Sequence, residues 1–368
     1  MTKILHILQS FGVGGMENRV ARLAAGLSRK GFQITILTLR ETKGRMPALP
    51  ENVQVVHFGV PSGLHFFRLT ALAGFIRKNG YHIVHTHNWS TMFYGILAGK
   101  LGRCPIVIHG EHGLNFHDLA GIPWKRETAQ RALALMCDHI VAVHPYMAKT
   151  VAEIWRVPFE KVTPIVNGVD TVRFEPGPTS KNMEFTVGTV GRLDAVKNFR
   201  GLLQGFAIFR ARHPEGFPAR LVLVGEGPEK ADLEKYAVEL GLGESIRFIG
   251  DATDPERWYR SFSVFVNASF SEGMSNTILE AMACGLPLVV SNVPGNASWI
   301  KDEVNSLQFN PTDPEGLADK LDALSADPER GRKMGDSNRR RVELEFDNRL
   351  FLEKYESLYH SLLVRWGA

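Results

Sequence analysis

The sequence predicts an α/β protein made of two similar halves, because one pattern of apolar runs and helical segments occurs twice along its 368 residues. Within each half, short apolar runs without strict polar alternation are typical of parallel strands that are covered on both faces. The pattern restarts after residues 175–181, a Pro- and Gly-containing stretch that is typical of a linker. We therefore expect two Rossmann-like domains, one formed by residues 1–175 with a terminal helix over 348–368 and one by residues 182–347.

The predicted elements alternate along the chain. Strands are expected at 4–8, 33–38, 53–57, 83–86, 106–109, 139–143, 185–190, 220–224, 246–249, 264–267 and 288–290. Helices are expected at 17–30, 90–101, 199–213, 228–240, 276–284 and 314–326. A last helix over 348–364 carries apolar side chains at helical spacing and is expected to pack back onto the first half. Ligand sites in such sheets lie at the carboxyl ends of the strands, so both domains can contribute to one site in a cleft between them.

Composition and charge exclude several classes of protein. No run of about 20 apolar residues is present, so no membrane-spanning helix is expected, and the N-terminus has the pattern of a buried strand rather than of a signal peptide. Three cysteines without metal-like spacing are typical of a reducing cytosol. Residues 1–180 hold 20 Lys and Arg against 11 Asp and Glu, and such a basic half suits nucleic acid, anionic lipid or a phosphorylated substrate. Because no nucleic-acid-binding motif accompanies the charge, nucleic acid is not an expected partner.

Two carboxylates, Glu272 and Glu280, flank a predicted helix start. Either Ser275 or Thr277 is suited to cap a helix over 276–284. A helix N-terminus attracts phosphate through its free amides, and flanking carboxylates can accept hydrogen bonds from sugar hydroxyls, so the pattern predicts a nucleotide-sugar site. The alternative is that Thr277 and Glu280 form only a capping box and that Glu272 is a solvated loop charge.

In each half, the loop that follows the first strand is a further candidate for ligand binding. Residues 12–17 are rich in glycine and open a helix, which suits close approach of an anion, although Glu17 breaks the dinucleotide fingerprint and a tight turn without function explains the same residues. In residues 191–198, Arg192 and Lys197 lie just before a helix, where fixed cations would stabilise a diphosphate leaving group. The alternative for this second loop is an ordinary solvated basic segment. The turn at 225–228 is expected to be structural.

Four histidines lie at the ends of two neighbouring strands: His85, His87, His109 and His112. A zinc site is one alternative. We expect instead that His112, or next His109, faces a reacting sugar, while His85 packs inside.

The segment 64–78 is amphipathic, with Phe66 and Phe67 beside Arg68. It suits either an anionic membrane surface or a helix packed on the domain's own sheet, and we favour the packed helix.

In chain order, the segments 12–17, 112–113, 167–170, 191–198 and 272–287 resemble motifs of glycosyltransferase family 4, a group of retaining transferases with the GT-B fold. The resemblance covers nearly the whole chain. Residues 109–113, followed by His117 and Asp118, further resemble transferases of exopolysaccharide and exosortase-associated gene clusters. The resemblance implies two Rossmann-like domains that face each other across a cleft, with the acceptor on the first domain and the donor on the second.

The resemblance also implies roles for the residues. Arg192 and Lys197 would hold the donor diphosphate, Glu272 the sugar hydroxyls and Glu280 the ribose hydroxyls, while His112 would lie at the 6-hydroxyl side of the sugar. The implied catalytic set is His112, Arg192, Lys197 and Glu272, and the implied donor-binding set is Gly14, Gly15, Arg192, Lys197, Glu272, Gly273, Met274, Ser275, Asn276 and Glu280. Because the sequence has no Asp-x-Asp motif, no metal is expected, and a UDP-sugar or GDP-sugar is the donor substrate rather than a cofactor.

The expected activity is transfer of a hexose or N-acetylhexosamine, with retention of configuration, to a glycan or lipid-linked glycan in cell-surface polysaccharide biosynthesis. The expected location is the cytoplasm, including the inner face of the plasma membrane, with contacts to the acceptor from a loop at 115–125. Alternatives are a sugar-nucleotide 2-epimerase of the same fold and a non-catalytic nucleotide-sugar-binding protein. The donor base, the acceptor, the linkage and the oligomeric state are left open by the sequence.

Overall fold

The protein divides into two compact units in a computed structural model that describes residues 1–367 except 13, 43, 62, 64, 114–120, 178–183 and 215. The N-unit comprises the described residues up to Gly113, residues 121–167 and the chain from Arg349 onwards. The C-unit comprises the described residues of Gly168–Asn348. Part of the predicted linker and of the predicted acceptor loop, together with His117 and Asp118, lies outside the described residues.

The N-unit is built on a seven-stranded sheet in which every strand pair is parallel. Its strand order is β3-β2-β1-β4-β5-β6-β7, the doubly wound order in which the chain direction across the sheet reverses between β1 and β4. The strands are β1 (Lys3–Leu8), β2 (Gln33–Thr38), β3 (Gln54–His57), β4 (Ile83–His87), β5 (Ile106–Glu111), β6 (His139–Ala142) and β7 (Val162–Pro164).

Helices cover both faces of this sheet, because alternate side chains of each strand point to opposite faces and both sets are apolar. The helices are α1 (Gly15–Ser28), α2 (Phe66–Asn79), α3 (Trp89–Leu101), α4 (Trp124–Met136), α5 (Pro145–Trp155) and the terminal α13 (Asn348–Arg365). On one face, Leu5 and Ile7 of β1 belong to a core with α2, α3, α4 and α5. On the other, Ile4 and Leu8 belong to a core with α1 and α13. The expectation that the terminal helix packs on the first half is thereby confirmed.

The C-unit repeats the arrangement with a six-stranded parallel sheet of order β10-β9-β8-β11-β12-β13. Its strands are β8 (Phe185–Val190), β9 (Ala219–Val224), β10 (Ile246–Gly250), β11 (Val264–Asn267), β12 (Leu288–Ser291) and β13 (Leu307–Phe309). Its helices are α6 (Phe199–Arg212), α7 (Lys230–Glu239), α8 (Pro255–Tyr259), α9 (Asn276–Ala283), α10 (Pro294–Ala297), α11 (Pro314–Ala326) and α12 (Pro328–Glu345). The reversal of strand order falls between β8 and β11, so the loops after these two strands meet at the position where such sheets bind ligands.

The predicted fold class of two parallel α/β sheets flanked by helices is confirmed, and most predicted elements agree with the structure within about two residues. The strands β7 and β13 were not predicted, because each has three residues and gives no periodic signal. No helix in the described part of the chain is both long and apolar enough to cross a membrane.

Candidate functional site

In the C-unit, the predicted site residues come from the two loops at the strand-order reversal. Arg192 and Lys197 lie in the loop that follows β8, and Glu272 lies in the loop that follows β11. Since β8 and β11 are neighbours in the sheet, the topology brings the two loops together although 75 residues separate Lys197 from Glu272.

Two glycines hold the loop after β8 in place. A Cβ on Gly225 would lie 2.0 Å from the carbonyl oxygen of Gly191, and a Cβ on Gly227 would lie 2.2 Å from that of Leu193. The close approach allows the Leu193 amide to donate to the Glu226 carbonyl at 2.9 Å. Because no other residue type tolerates both contacts, the turn after β9 supports the segment that carries Arg192. Its predicted structural role is confirmed.

Arg192 and Lys197 differ in their surroundings. The Arg192 side chain is 72% exposed and its Nε lies 3.7 Å from an Asp194 carboxylate oxygen. Lys197 ends a short 3₁₀ turn, and its side chain is 27% exposed. The next residue, Asn198, has φ +52° and caps α6 by accepting from the Gly201 amide, which fixes the end of the loop.

A direct ion pair joins the two loops. Lys197 Nζ donates to Glu272 Oε1 at 2.7 Å, and the Glu272 side chain is only 8% exposed. The same oxygen accepts from Asn267 Nδ2 at 3.0 Å and from Ser269 Oγ at 2.7 Å. Burial alone would raise the pKa of Glu272, but the Lys197 charge and the hydrogen bonds from Asn267, Lys197 and Ser269 outweigh burial and lower it. The carboxylate is therefore ionised at neutral pH. Because its side chain is buried, the alternative that Glu272 is a solvated loop charge is excluded.

A second layer of polar side chains supports this carboxylate, and sequence reasoning gave it no role. Asn296, which is fully buried, donates to the Asn267 side-chain oxygen at 3.1 Å and to the Ser291 carbonyl at 3.1 Å. Asn267 and Ser269 have the spacing of residues that share one face of a strand. The contacts of Asn267 and Ser269 with Glu272 could have been predicted from this spacing, because both polar residues lie at the end of an apolar strand and close to Glu272 in the sequence.

Helix α9 begins as predicted, and its cap decides between two alternatives. Ser275 is the N-cap, and its side chain accepts from the Ile278 amide. Of the two expected caps, Ser275 is therefore the one that is used, and Thr277 lies inside the helix, so the alternative of a capping box formed by Thr277 with Glu280 is excluded. Glu280 lies in the second turn of the helix, and one of its carboxylate oxygens accepts from the Tyr259 hydroxyl at 2.9 Å. Burial, and then the nearby Glu280 charge, raise the pKa of Tyr259 well above its ordinary value.

The glycine-rich loop of the N-unit opens α1 as predicted. Gly14 is the N-cap of the helix, in extended conformation and without a side-chain cap. A Cβ on Gly14 would lie 2.4 Å from a Glu17 carboxylate oxygen, so the Glu17 side chain folds back over the first turn. The first turn of α1 thus already has one anionic group against it, as the helix dipole favours.

The four predicted histidines separate according to strand alternation. His85 and His87 of β4 are buried on the face covered by α1 and α13, and the expectation that His85 packs inside is confirmed. His109 lies inside β5, which is longer than predicted, on the opposite face, where it meets Thr86 at 2.7 Å and the Trp155 ring. Because His109 is fully buried, its choice as second candidate to face a sugar is wrong.

His112 follows β5 and is partly exposed. Its Nε2 lies 2.9 Å from His87 Nδ1, and its Nδ1 lies 3.0 Å from the Arg19 guanidinium. Its backbone amide donates to Asn88 Oδ1 at 3.0 Å. Both ring nitrogens of His112 are thus engaged within the N-unit.

Among the described residues, His6, His85 and His87 form one group whose ligand atoms lie within 4.8 Å of one another. Imidazoles suit zinc, so this group is where the zinc alternative would apply, with His6 in place of the predicted His109 and His112. Two of its ring nitrogens, His6 Nε2 and His85 Nε2, are buried without a hydrogen-bond partner among the described protein groups.

Comparison with known proteins agrees with this architecture. A family model described as Glycosyltransferase Family 4 matches residues 13–173, and one described as Glycosyl transferases group 1 matches residues 184–327. A D-inositol 3-phosphate glycosyltransferase of Nocardia farcinica is 27% identical over 362 residues, covering 88% of this chain and 79% of that protein. The UDP-Gal:alpha-D-GlcNAc-diphosphoundecaprenol alpha-1,3-galactosyltransferase of Escherichia coli is 28% identical over 279 residues, covering 70% of each. The crystal structure of Anabaena HepE with UDP and glucose superposes with a TM-score of 0.83 at 18% identity, covering 98% of this chain and 100% of HepE.

The two sheets and their solved neighbours define the fold class as that of the GT-B glycosyltransferases. More narrowly, both units carry glycosyltransferase domains: a Glycosyltransferase Family 4 domain in the N-unit and a Glycosyl transferases group 1 domain in the C-unit.

Proposed function

We propose that the protein is a retaining glycosyltransferase that moves a hexose or N-acetylhexosamine from a nucleoside diphosphate sugar to a glycan or lipid-linked glycan. The observation that carries the proposal is the Lys197–Glu272 ion pair at the strand-order reversal of the C-unit. It places one fixed cation beside one buried, ionised acceptor of hydrogen bonds, and a sugar diphosphate needs both. Because both units carry glycosyltransferase domains, this reading stands ahead of the 2-epimerase and of a non-catalytic binding protein.

Arg192 and Lys197 hold the diphosphate in this proposal. Arg192 is exposed and its charge is only weakly met by Asp194 at 3.7 Å, so it is available to a ligand. Lys197 is held in place by Glu272 and presents its remaining donors to the leaving group. As the bond from the sugar to the diphosphate breaks, negative charge grows on the diphosphate, and prearranged cations stabilise it. The Gly14, Gly15, Gly273, Met274, Ser275 and Asn276 backbone groups remain predicted partners of the donor.

Glu272 and Glu280 take the hydroxyls of the donor. Glu272 accepts from sugar hydroxyls through Oε2, because Oε1 already accepts from Lys197, Asn267 and Ser269. Glu280 accepts from the ribose, with Tyr259 orienting its carboxylate. Both carboxylates therefore bind and orient, and neither serves as a nucleophile.

The transfer step itself is a substitution on one face of the sugar. The acceptor hydroxyl oxygen bonds to the anomeric carbon on the face from which the diphosphate leaves, and the bond from that carbon to the diphosphate oxygen breaks. The proton of the acceptor hydroxyl passes to the departing diphosphate. This scheme uses no metal, because the positive charge comes from Arg192 and Lys197.

The proposed donor is a UDP-sugar rather than a GDP-sugar. The Escherichia coli relative is named for a UDP-linked galactose and for an acceptor on diphosphoundecaprenol. That name also supports a lipid-linked acceptor in cell-surface polysaccharide synthesis.

A protein that acts on a lipid-linked acceptor must reach the membrane surface from the cytoplasm. The start of α2 is the proposed point of contact with the membrane. The helix buries Leu69, Leu72 and Ile76 against its own unit, as we favoured, but Phe66 and Phe67 remain 72% and 81% exposed beside Arg68. Exposed aromatic side chains next to a cation suit an anionic lipid surface.

Flotation with anionic vesicles at low salt tests this contact with the membrane. The double variant Phe66→Ser, Phe67→Ser should lose binding, and Val172→Ser, at another exposed apolar residue, should keep it. Absence of flotation by the unmodified protein would contradict membrane contact without touching the transferase proposal.

Release of nucleoside diphosphate in the presence of a lipid-linked acceptor tests the activity. Lys197→Ala and Arg192→Ala are each expected to lower turnover by about 10²–10³-fold with the fold intact. Lys230→Ala is the matched control, because Lys230 forms a similar ion pair with Glu226 in the same unit, with a side chain 32% exposed. Normal turnover by both site variants would show that the diphosphate assignment is wrong.

A further inference from the structure

The interior of the N-unit contains a row of hydrogen-bonded imidazoles that ends at a buried cation. His6 Nδ1 lies 3.0 Å from His87 Nε2, and His87 Nδ1 lies 2.9 Å from His112 Nε2. His112 Nδ1 lies 3.0 Å from Arg19 NH1. Arg19 is 2% exposed, and its other terminal nitrogen donates to the Ile165 carbonyl at 2.9 Å. The three imidazoles and Arg19 are called the histidine row below.

The sequence places the row by register and by helix geometry. His6 of β1 pairs with His85 of β4, and His87, two residues further along β4, points to the same face. Arg19 reaches the row from the first turns of α1, and its guanidinium lies 5.3 Å from the centre of the Phe351 ring and 5.6 Å from that of Tyr355 on α13. The aromatic faces stabilise the buried charge.

Arg19 fixes the direction of every hydrogen bond in the row. A guanidinium only donates, so His112 Nδ1 must accept and the proton of neutral His112 must be on Nε2. His112 then donates to His87 Nδ1, which places the His87 proton on Nε2. His87 in turn donates to His6 Nδ1, so His6 also carries its proton on Nε2.

The imidazoles of the row are neutral, as these proton positions require. Burial lowers the pKa of His6 to about 3, and burial together with neighbouring charges lowers the pKa of His87 and of His112 well below the ordinary value. For His112, burial is the first cause and the Arg19 charge is the second.

The direction of these hydrogen bonds also disfavours binding of a metal ion by the histidine row. Binding through His6 Nε2 would move the His6 proton to Nδ1, and each following ring would have to reverse. His112 would then carry its proton on Nδ1, facing the Arg19 donor at 3.0 Å. A permanent cation beside His112 also repels a dication.

We propose that Arg19 is a positioning residue that holds His112 in its Nε2–H tautomer, so that His112 is a fixed, neutral ring and does not act as an acid or base. A contact of His112 with the transferred sugar, which the family resemblance implies, rests on the proposed function, whereas the tautomer does not. Asn88 also helps to hold His112 in place. Its side-chain Oδ1 accepts from the His112 backbone amide at 3.0 Å, and its backbone amide donates to the Gly110 carbonyl at 2.9 Å.

Nitrogen-15 NMR of the histidine rings in the full chain tests the tautomers directly. The unmodified protein should show His6, His87 and His112 each as a single Nε2–H tautomer. Nδ1–H or a charged ring at His112 would overturn the proposal. So would zinc retained at one ion per chain with His6 Nε2 as a ligand.

Variants of Arg19 connect the tautomer to turnover. Arg19→Met should give mixed tautomers at His112 and lower kcat by about 10²-fold, because a ring misplaced by about 1 Å has an effect of that size, with little change in the KM for the donor. Arg19→Lys keeps a charged donor and should restore the single tautomer and part of the rate. Arg29→Met, which removes an exposed charge at the end of α1, is the control and should change neither.

A variant without any change of polar groups covers the case in which Arg19→Met does not fold. A Cβ on Gly110 would lie 3.0 Å from His85 Nε2, 3.1 Å from His87 Nδ1 and 3.2 Å from His112 Nε2. Gly110→Ala should therefore separate His87 from His112 and mix the tautomers of His87 and His6, while Arg19 still holds His112 as the Nε2–H tautomer. Mixed tautomers at His112 in Gly110→Ala, or an unchanged His112 tautomer in Arg19→Met, would contradict the proposal. Intact tautomers with no transferase activity in the unmodified protein would instead contradict the proposed function.

Discussion

The two units bury titratable groups in opposite charge states. In the N-unit, the buried His6 and His87 and the partly exposed His112 are neutral and form a row that ends at a cation. In the C-unit, Glu272 is buried and ionised beside a cation. Burial disfavours the charged form of both groups. For the imidazoles burial is the first cause of the lowered pKa, and the Arg19 charge adds to it at His87 and His112. For Glu272 the Lys197 charge and hydrogen bonds oppose burial and outweigh it, so a neighbouring cation reinforces burial in one unit and opposes it in the other.

The largest expected effect is the loss of one partner of the C-unit ion pair. Lys197→Ala leaves Glu272 buried without its cation, which should lower the free energy of unfolding by about 3 kcal/mol. Combining Lys197→Ala with Glu272→Gln should restore much of that loss, because no uncompensated charge remains. Urea unfolding of the two single variants and the double variant measures the coupling. Lys230→Ala, at an ion pair of which both side chains are about a third or more exposed, should cost no more than about 0.5 kcal/mol. Equal losses at Lys197 and Lys230 would remove the distinction between the units.

The second effect is on the pH dependence of stability, which is expected to differ between the two units. His6 has a folded pKa of about 3 against an ordinary 6.5, so between these values the unfolded chain binds more protons than the native one. Its contribution to stability is complete above pH 6.5 and is lost as pH falls towards 3, by about 1.4 kcal/mol per pH unit for each such histidine. Glu272 also has a lowered pKa, from an ordinary 4.5, so its contribution is lost only below about pH 4.5.

Unfolding measured at pH 7, 6 and 5 should therefore show a decline that comes from the N-unit. His6→Gln should make this decline shallower, and Glu272→Gln should leave it unchanged above pH 5. A decline that responds to Glu272→Gln and not to His6→Gln would reverse the assignment.

A smaller effect compares hydrogen bonds to charged and to neutral partners. Ser269 donates to the ionised Glu272 at 2.7 Å, so Ser269→Ala should cost about 1.5 kcal/mol or more. The free energy of unfolding by urea measures it. A cost below that of an ordinary neutral hydrogen bond would indicate that Glu272 is protonated.

The smallest effect is expected at the matching hydroxyl of the N-unit. The Tyr359 hydroxyl meets the neutral His85 Nδ1 at 2.7 Å, so Tyr359→Phe should cost only about 1 kcal/mol. A loss larger than that of Ser269→Ala would indicate that His85 is charged.

Much of this fold follows from the sequence, because its central strands are long apolar runs. The strands β2, β8 and β11 have the bounds that the sequence predicts. Short elements such as β13 owe their existence to pairing with β12 and have no local signal. The charged helix α12 was not predicted either, because apolar residues are few along it.

The site residues could be found by type, but their partners could not. Lys197 and Glu272 were each predicted to bind a donor, since each lies in a loop between a strand and a helix. Their contact depends on β8 and β11 being neighbours, which only the strand order determines. His6 and Arg19 were assigned no role, because His6 is 81 residues from His87 and Arg19 is 93 residues from His112.

Thermal unfolding with added ligand tests whether Lys197 binds a nucleoside diphosphate sugar, because a ligand that binds only the folded protein raises its melting temperature. The measurement is the melting temperature of the unmodified protein, Lys197→Ala and Lys230→Ala with UDP-sugars, GDP-sugars and NAD. Binding of a nucleoside diphosphate sugar at Lys197 predicts a rise with UDP-sugars that is reduced in Lys197→Ala, kept in Lys230→Ala and absent with NAD. No rise with any sugar nucleotide, or an equal rise in both variants, would contradict the claim.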